Sequence, residues 1–236
     1  MRRTTLVLLP GLDGTEIFFG PLLSQLPLWI DPVVITYPGP GPNTYNDLAT
    51  IVDQAVDRLA DFVILGWSFG GPLALMIATQ RPSQVSGVVL CSSFVTPPHP
   101  MLIPFRFAVT APVIATIRAI RRTRLLIPGW ANAELRAAKA MTWKRVNSRT
   151  LAARARAALE VDARRLLAGC SSRIMYLVAT DDEVISRANL DQVLANAPNT
   201  EVAEIDGPHL ALFTNPVQSA KRIADFLQRG RLPVDA

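Results

Sequence analysis

Histidine and cysteine are scarce in this chain, with two of each among 236 residues. Cys91 and Cys170 supply neither a disulfide framework nor a metal-ligand spacing. Cys91 lies in an apolar run and reads as a buried structural thiol. With only His99 and His209, imidazole chemistry has two candidates, and His99 falls in a proline-rich stretch suited to a surface or pocket-edge position. Charged residues make up only 18% of the chain while half is apolar, which excludes a disordered protein. Long uninterrupted hydrophobic runs are also missing. Met1-Arg2-Arg3 followed by Leu6 to Leu9 starts like a signal peptide, but Pro10-Gly11 ends the run too soon. Arg106, Arg118, Pro104 and Pro112 interrupt the apolar stretch from Met101 to Ile120, making it a poor membrane span. No nucleic-acid-binding motif is present. The expectations are therefore a cytoplasmic protein with no integral membrane segment and no nucleic-acid partner.

The net charge of +5 is unevenly spread. Residues 97–168 hold fourteen Lys/Arg against three acids, a net of +11, whereas the rest of the chain holds ten against sixteen, a net of −6. A basic segment inside an acidic body points to a separate element with an anionic partner.

Short apolar runs alternate with helical patterns on either side of that segment. Thr4–Leu9, Val33–Ile35, Phe62–Leu65, Val85–Cys91, Arg173–Val178 and Glu201–Ile205 read as strands. Helices are expected at Ile17–Leu26, from Thr44 to Leu59, at Ser186–Ala197 and at Pro216–Gln228. Thr44 and Asp47 form a capping box with Asp in place of the usual Glu. This alternation predicts an α/β protein with a doubly wound, mainly parallel sheet. The core is expected at 1–96 and 169–236, with 97–168 inserted as several amphipathic helices. At 236 residues the chain is long enough for one such domain. In sheets of this kind sites form at the carboxyl ends of the strands.

The polar residues at those ends carry the chemistry. Gly66-Trp67-Ser68-Phe69-Gly70-Gly71 follows a strand and opens a helix, the setting that makes G-x-S-x-G a nucleophile elbow. Its glycines let neighbouring backbone come close, and the sharp turn lifts the Ser68 hydroxyl clear of the sheet. Asp181, Asp182 and Glu183 follow the next-to-last strand, and His209 follows the last. A serine needs a base, imidazole supplies one near neutral pH, and an acid fixes the imidazole tautomer. One of the two adjacent aspartates is expected to cap the following helix while the other faces His209. Asp206 reads as the end of its strand.

These residues make the chain resemble the α/β-hydrolase fold over nearly its whole length. The resemblance rests on Gly66–Gly71, on Ala179-Thr180-Asp181-Asp182-Glu183-Val184-Ile185, and on Gly207-Pro208-His209-Leu210 followed by Asn215-Pro216. It implies a serine hydrolase cleaving carboxylic esters through an acyl-enzyme, with Ser68 as nucleophile, His209 as base and Asp182 as acid, Asp181 being the second candidate. It also implies oxyanion donors at the backbone N–H groups of Leu12 and Phe69, no metal and no organic cofactor. Two departures stand out: Ala179 replaces a customary glycine, and Pro10-Gly11 replaces a His-Gly pair, a form similar to thioesterase-like members. Serine at position 68 excludes the haloalkane dehalogenases of this fold, which use Asp there. The insert falls where the family carries its cap. It is similar to the cap of pimeloyl-ACP methyl ester esterases, which implies a small acyl ester as substrate and an acidic acyl carrier protein as partner. A thioesterase or acyltransferase, and a non-catalytic binding protein, are the alternative readings, and an anionic membrane surface is a further partner for the basic segment.

Overall fold

The computed structural model describes residues 3–41, 43–124 and 132–230. The start of the signal-like stretch, Met1-Arg2, and residues 125–131 of the insert lie outside the described residues. Six strands form one sheet: β1 (Thr4–Leu9), β2 (Ile30–Val34), β3 (Phe62–Trp67), β4 (Val85–Cys91), β5 (Arg173–Ala179) and β6 (Glu201–Ile205). Their order is β2-β1-β3-β4-β5-β6, and every pairing is parallel.

Alternation along the central strands explains the layers. In β1, Val7 and Leu9 face one side while Leu6 and Leu8 face the other. In β5, Ile174 and Tyr176 oppose Met175 and Leu177 in the same way. Both faces are thus apolar and both need helices. One is covered by α2 (Tyr45–Val56), α3 (Gly70–Gln80) and α8 (Arg187–Asn196), the other by α1 (Gly20–Gln25), α9 (Ala211–Thr214) and α10 (Pro216–Arg229).

Most sequence-predicted elements appear, with three differences. β2 starts three residues earlier than expected and includes Pro32. It is an edge strand, so the missing Pro N–H breaks no interior ladder. The first expected helix divides into a 3-10 turn, Ile17–Phe19, and α1, which restarts at Gly20-Pro21. The helix opened by Thr44 stops at Val56, short of Leu59. Its capping box is present: the Thr44 side chain accepts from the Asp47 N–H, and the Asp47 carboxylate accepts from the Thr44 N–H.

Between β4 and β5 the described chain is helical: a 3-10 helix at Pro100–Ala108, then α4 (Ala111–Arg124), α5 (Ala133–Arg145), α6 (Ser148–Glu160) and α7 (Arg164–Ala168). The 3-10 helix and α4 pack on α6. Asn132 and Asn147 cap α5 and α6 through their side chains. Among the described residues no single helix is long and apolar enough to cross a membrane.

Candidate active site

The strand order reverses direction between β1 and β3, whose neighbouring ends register Leu9 opposite Gly66. The loop after β1 and the turn after β3 therefore leave the sheet side by side, at the point where open parallel sheets form their crevice.

Ser68 sits in that turn with φ of 52°, a left-handed conformation that side chains rarely adopt. Three hydrogen bonds hold it there. Its N–H donates to the Cys91 carbonyl at 2.9 Å. Its own carbonyl accepts from the Gly71 N–H at 3.1 Å and from the Ser93 hydroxyl at 2.6 Å. The glycines are required by close approach. A Cβ on Gly66 would fall on the Gly70 carbonyl, one on Gly71 on the Ser93 hydroxyl, and one on Gly70 within 2.7 Å of the Leu9 carbonyl oxygen.

His209 Nε2 lies 3.0 Å from Ser68 Oγ, and His209 Nδ1 lies 2.9 Å from Asp182 Oδ2. The loops carrying the acid and the histidine are laced together: the Asp181 N–H donates to the Gly207 carbonyl at 2.9 Å, and the Gly207 N–H donates to Thr180 Oγ1 at 3.1 Å. Gly207 has φ of 130°, which only glycine adopts freely. Trp67 donates its indole N–H to the His209 carbonyl at 3.2 Å and sets its ring beside the imidazole.

Asp182 is the aspartate that faces the imidazole, and neither aspartate caps the following helix, whose N-cap is Ser186. Oδ2 faces His209, while Oδ1 accepts the N–H groups of Val184 and Ile185 at 2.8 Å each. Asp181 is exposed, and His99 is exposed and opens the Pro100–Ala108 helix. Burial by itself would raise the Asp182 carboxyl; the His209 hydrogen bond and charge and the two backbone donors outweigh it, and the net shift is downward. A carboxylate can only accept, so the proton between them belongs to Nδ1. Nε2 is then free to accept from the Ser68 hydroxyl.

Leu12 and Phe69 stand at the two loops beside Ser68. Among the described residues, no hydrogen bond is made by either backbone N–H. Both peptide groups are fixed from their carbonyl side, that of the Phe69 N–H through the Ser68 carbonyl, which accepts from Gly71 and Ser93. The Gly11 carbonyl, whose peptide unit includes the Leu12 N–H, accepts from the Gly14 N–H at 3.0 Å. Tyr45 Oη donates to the Phe69 carbonyl at 3.1 Å while its ring stacks on Phe69 at 4.5 Å. Tyr37 Oη donates to the Pro10 carbonyl at 3.0 Å.

One residue that sequence reading counted only as a cation of the insert proves central. Arg154, on α6, is fully buried. Its Nη1 donates to the Leu12 and Asp13 carbonyls at 3.0 and 2.7 Å, Nη2 to the Pro38 carbonyl at 2.8 Å, and Nε to Asn43 Oδ1 at 2.8 Å. Burial lowers its pKa to about 10, against the smaller pull of Tyr37 and Asp13, so it stays charged at neutral pH. Nearby Asp13 is raised by burial in spite of hydrogen bonds from Thr15.

An all-parallel α/β sheet with a strained serine turn, and an imidazole and a carboxylate at later strand ends, defines an α/β hydrolase architecture. Residues 6–222 match the model of the alpha/beta hydrolase family, and the chain belongs to that family. It is similar in structure to a thermophilic esterase from Thermogutta terrifontis, at 17% identity and a TM-score of 0.83, covering 98% of this chain and 92% of that one. It is likewise similar to an esterase from Exiguobacterium antarcticum, at 16% identity and TM-score 0.80, covering 96% and 92%. An enol-lactonase from Burkholderia xenovorans LB400 aligns at 18% identity and TM-score 0.78, covering 97% and 92%. At such identities these likenesses speak to the fold. Comparison with curated protein sequences gives no match.

Proposed function

We propose that the protein is a serine hydrolase of carboxylic esters. The observation that carries this reading is the unbroken hydrogen-bonded chain Ser68–His209–Asp182 ending on a serine in strained backbone. In the proposed reaction Ser68 Oγ attacks the acyl carbonyl as His209 Nε2 takes its proton. Asp182 keeps Nδ1 protonated and stabilises the imidazolium. The oxyanion is received by the N–H groups of Leu12 and Phe69, each worth about 3–4 kcal/mol of transition-state stabilisation in comparable sites. The imidazolium then protonates the departing alkoxide, leaving an acyl-Ser68 ester. Water, deprotonated by His209, attacks that ester and returns Ser68 and a carboxylic acid.

In this reading the helical segment 97–168 acts as a cap over the strand ends. The support is Arg154, which ties α6 to the Leu12 loop, and Thr150, whose hydroxyl donates to the Gly39 carbonyl. The Pro10-Gly11 form of the first loop favours acyl thioesters as a second substrate class.

The test is turnover of p-nitrophenyl esters of increasing acyl length, and of matched thioesters, by the wild type and Ser68→Ala. Turnover that falls to background in Ser68→Ala supports the reading, and the ratio of the two series selects ester or thioester. A fluorophosphonate that leaves Ser68 unlabelled, together with no turnover of either series, refutes catalysis and leaves a binding protein.

A further inference from the structure

The insert carries an apolar and basic face that no part of the described chain covers. Met101, Phe105 and Phe107 are 87%, 64% and 74% exposed on the Pro100–Ala108 helix. Val113, Ile117 and Ile120 recur at helical spacing on α4 and are exposed too. Large apolar side chains standing in water at this density mark an interaction surface. The stretch that carries them is basic: from Phe62 to Ala133 the sequence contains no Asp or Glu, residues 97–133 contain five arginines, and the acid that reaches Arg106 is Glu160 of α6, at 3.7 Å. Arg121 and Arg122 are exposed and, among the described residues, in no ion pair. Arg106 lies over the Phe107 ring at 4.2 Å.

We propose that this face docks on an anionic lipid surface. Three features select that occupant. The side chains protrude instead of lining a groove, and a lipid interface accepts protruding Phe, Met and Ile without a matched shape. Arginines at the rim can keep their charge among anionic headgroups while their stems follow the apolar side chains inward. A second copy of the chain would bring like charges together in a symmetric pairing, and an acidic protein would meet the arginines but leave the aromatics without pockets. The two helices are bent by 115° at their junction, so they do not form one straight span. They form the outer layer over α6, so attachment would lay the membrane against the insert and away from the sheet.

The experiment is co-sedimentation of the full chain with vesicles of phosphatidylcholine alone or mixed with phosphatidylglycerol. Binding is expected to the mixed vesicles only and to weaken with salt. Arg121→Gln/Arg122→Gln should weaken it about 30-fold, at about 1 kcal/mol per arginine near the surface. Phe105→Ser/Phe107→Ser should weaken it by about tenfold or more. The substituted side chains are exposed or half-exposed, and unchanged thermal unfolding confirms that the variants remain folded. Absence of binding, or equal binding to both vesicle types, overturns the proposal. So does concentration-dependent dimerisation, lost in the Phe variant, without vesicle binding; so does capture of an acidic acyl carrier protein by a chain that ignores vesicles.

Discussion

Replacing Arg154 by Met keeps a side chain of comparable reach and deletes every donor. Four acceptors then lose their partner: the carbonyls of Leu12, Asp13 and Pro38, and Asn43 Oδ1. A buried acceptor left unpaired costs roughly 1–3 kcal/mol. Water and loop relaxation will satisfy some of the four, and the desolvation of the guanidinium itself is relieved. The expected net loss is about 2–4 kcal/mol in urea unfolding at neutral pH, a large share of the total stability of such a domain. Arg154→Lys keeps the charge but cannot fork towards Asn43 and Pro38 at once, so a loss of about 1 kcal/mol or more is expected. If the Leu12 N–H receives the oxyanion, loosening its loop should also lower kcat by about tenfold to a hundredfold with KM little changed, measured well below the melting temperature. Two variants that unfold within about 0.5 kcal/mol of wild type would refute the clamp. A destabilised variant with wild-type kcat would show that Arg154 holds the fold and not the loop geometry.

Asp182→Asn should destabilise the protein most at neutral pH. The folded carboxyl titrates below its ordinary value of 3.8, so its stabilisation is complete above that pH and is lost as pH falls through the lower folded value. The unfolding gap between wild type and variant should therefore narrow on acidification below about pH 4, and a gap that widens there contradicts the assignment. Tyr45→Phe removes the donor to the Phe69 carbonyl but keeps the ring stack, for an expected loss of about 1 kcal/mol by urea unfolding. Gly71→Ala should cost about 1–3 kcal/mol by forcing a methyl onto Ser93, and Ser93→Gly in the same chain should recover part of it, a coupling that a double-mutant cycle in urea measures.

What sequence could show depended on where the partners lie. β1, β4 and β6 have the bounds read from sequence: β1 and β4 are largely apolar runs buried in the middle of the sheet, whereas β6 is a partly exposed edge strand carrying Glu201 and Glu204. β2 begins before the apolar run Val33–Ile35 and includes Pro32, which an edge position tolerates and the sequence does not mark. Ser68, Asp182 and His209 were legible because each occupies a local motif at a strand end, where the fold leaves backbone unpaired and side chains free. The choice between Asp181 and Asp182 was not legible from capping rules. A carboxylate has two oxygens, and Asp182 spends one on the turn and one on His209.

Arg154 lay beyond sequence reasoning for a different reason. Three of its four acceptors are backbone carbonyls, which every residue possesses and which leave no mark in composition. The fourth, Asn43, is 111 residues away. Counting charges placed Arg154 with the solvated arginines of a +11 segment, yet burial removes it from that surface altogether. The insert's cations thus divide by environment. Arg154 is turned inward and joins the insert to the loops beside Ser68, whereas Arg121 and Arg122 are turned outward beside exposed apolar side chains. A fully buried guanidinium is tolerated only when its donors are satisfied, so α6 can dock as it does only with the acceptors of Leu12, Asp13, Pro38 and Asn43 in place. Formation of the serine-side loops is therefore coupled to docking of the insert, and Arg154→Met should loosen both together in hydrogen exchange.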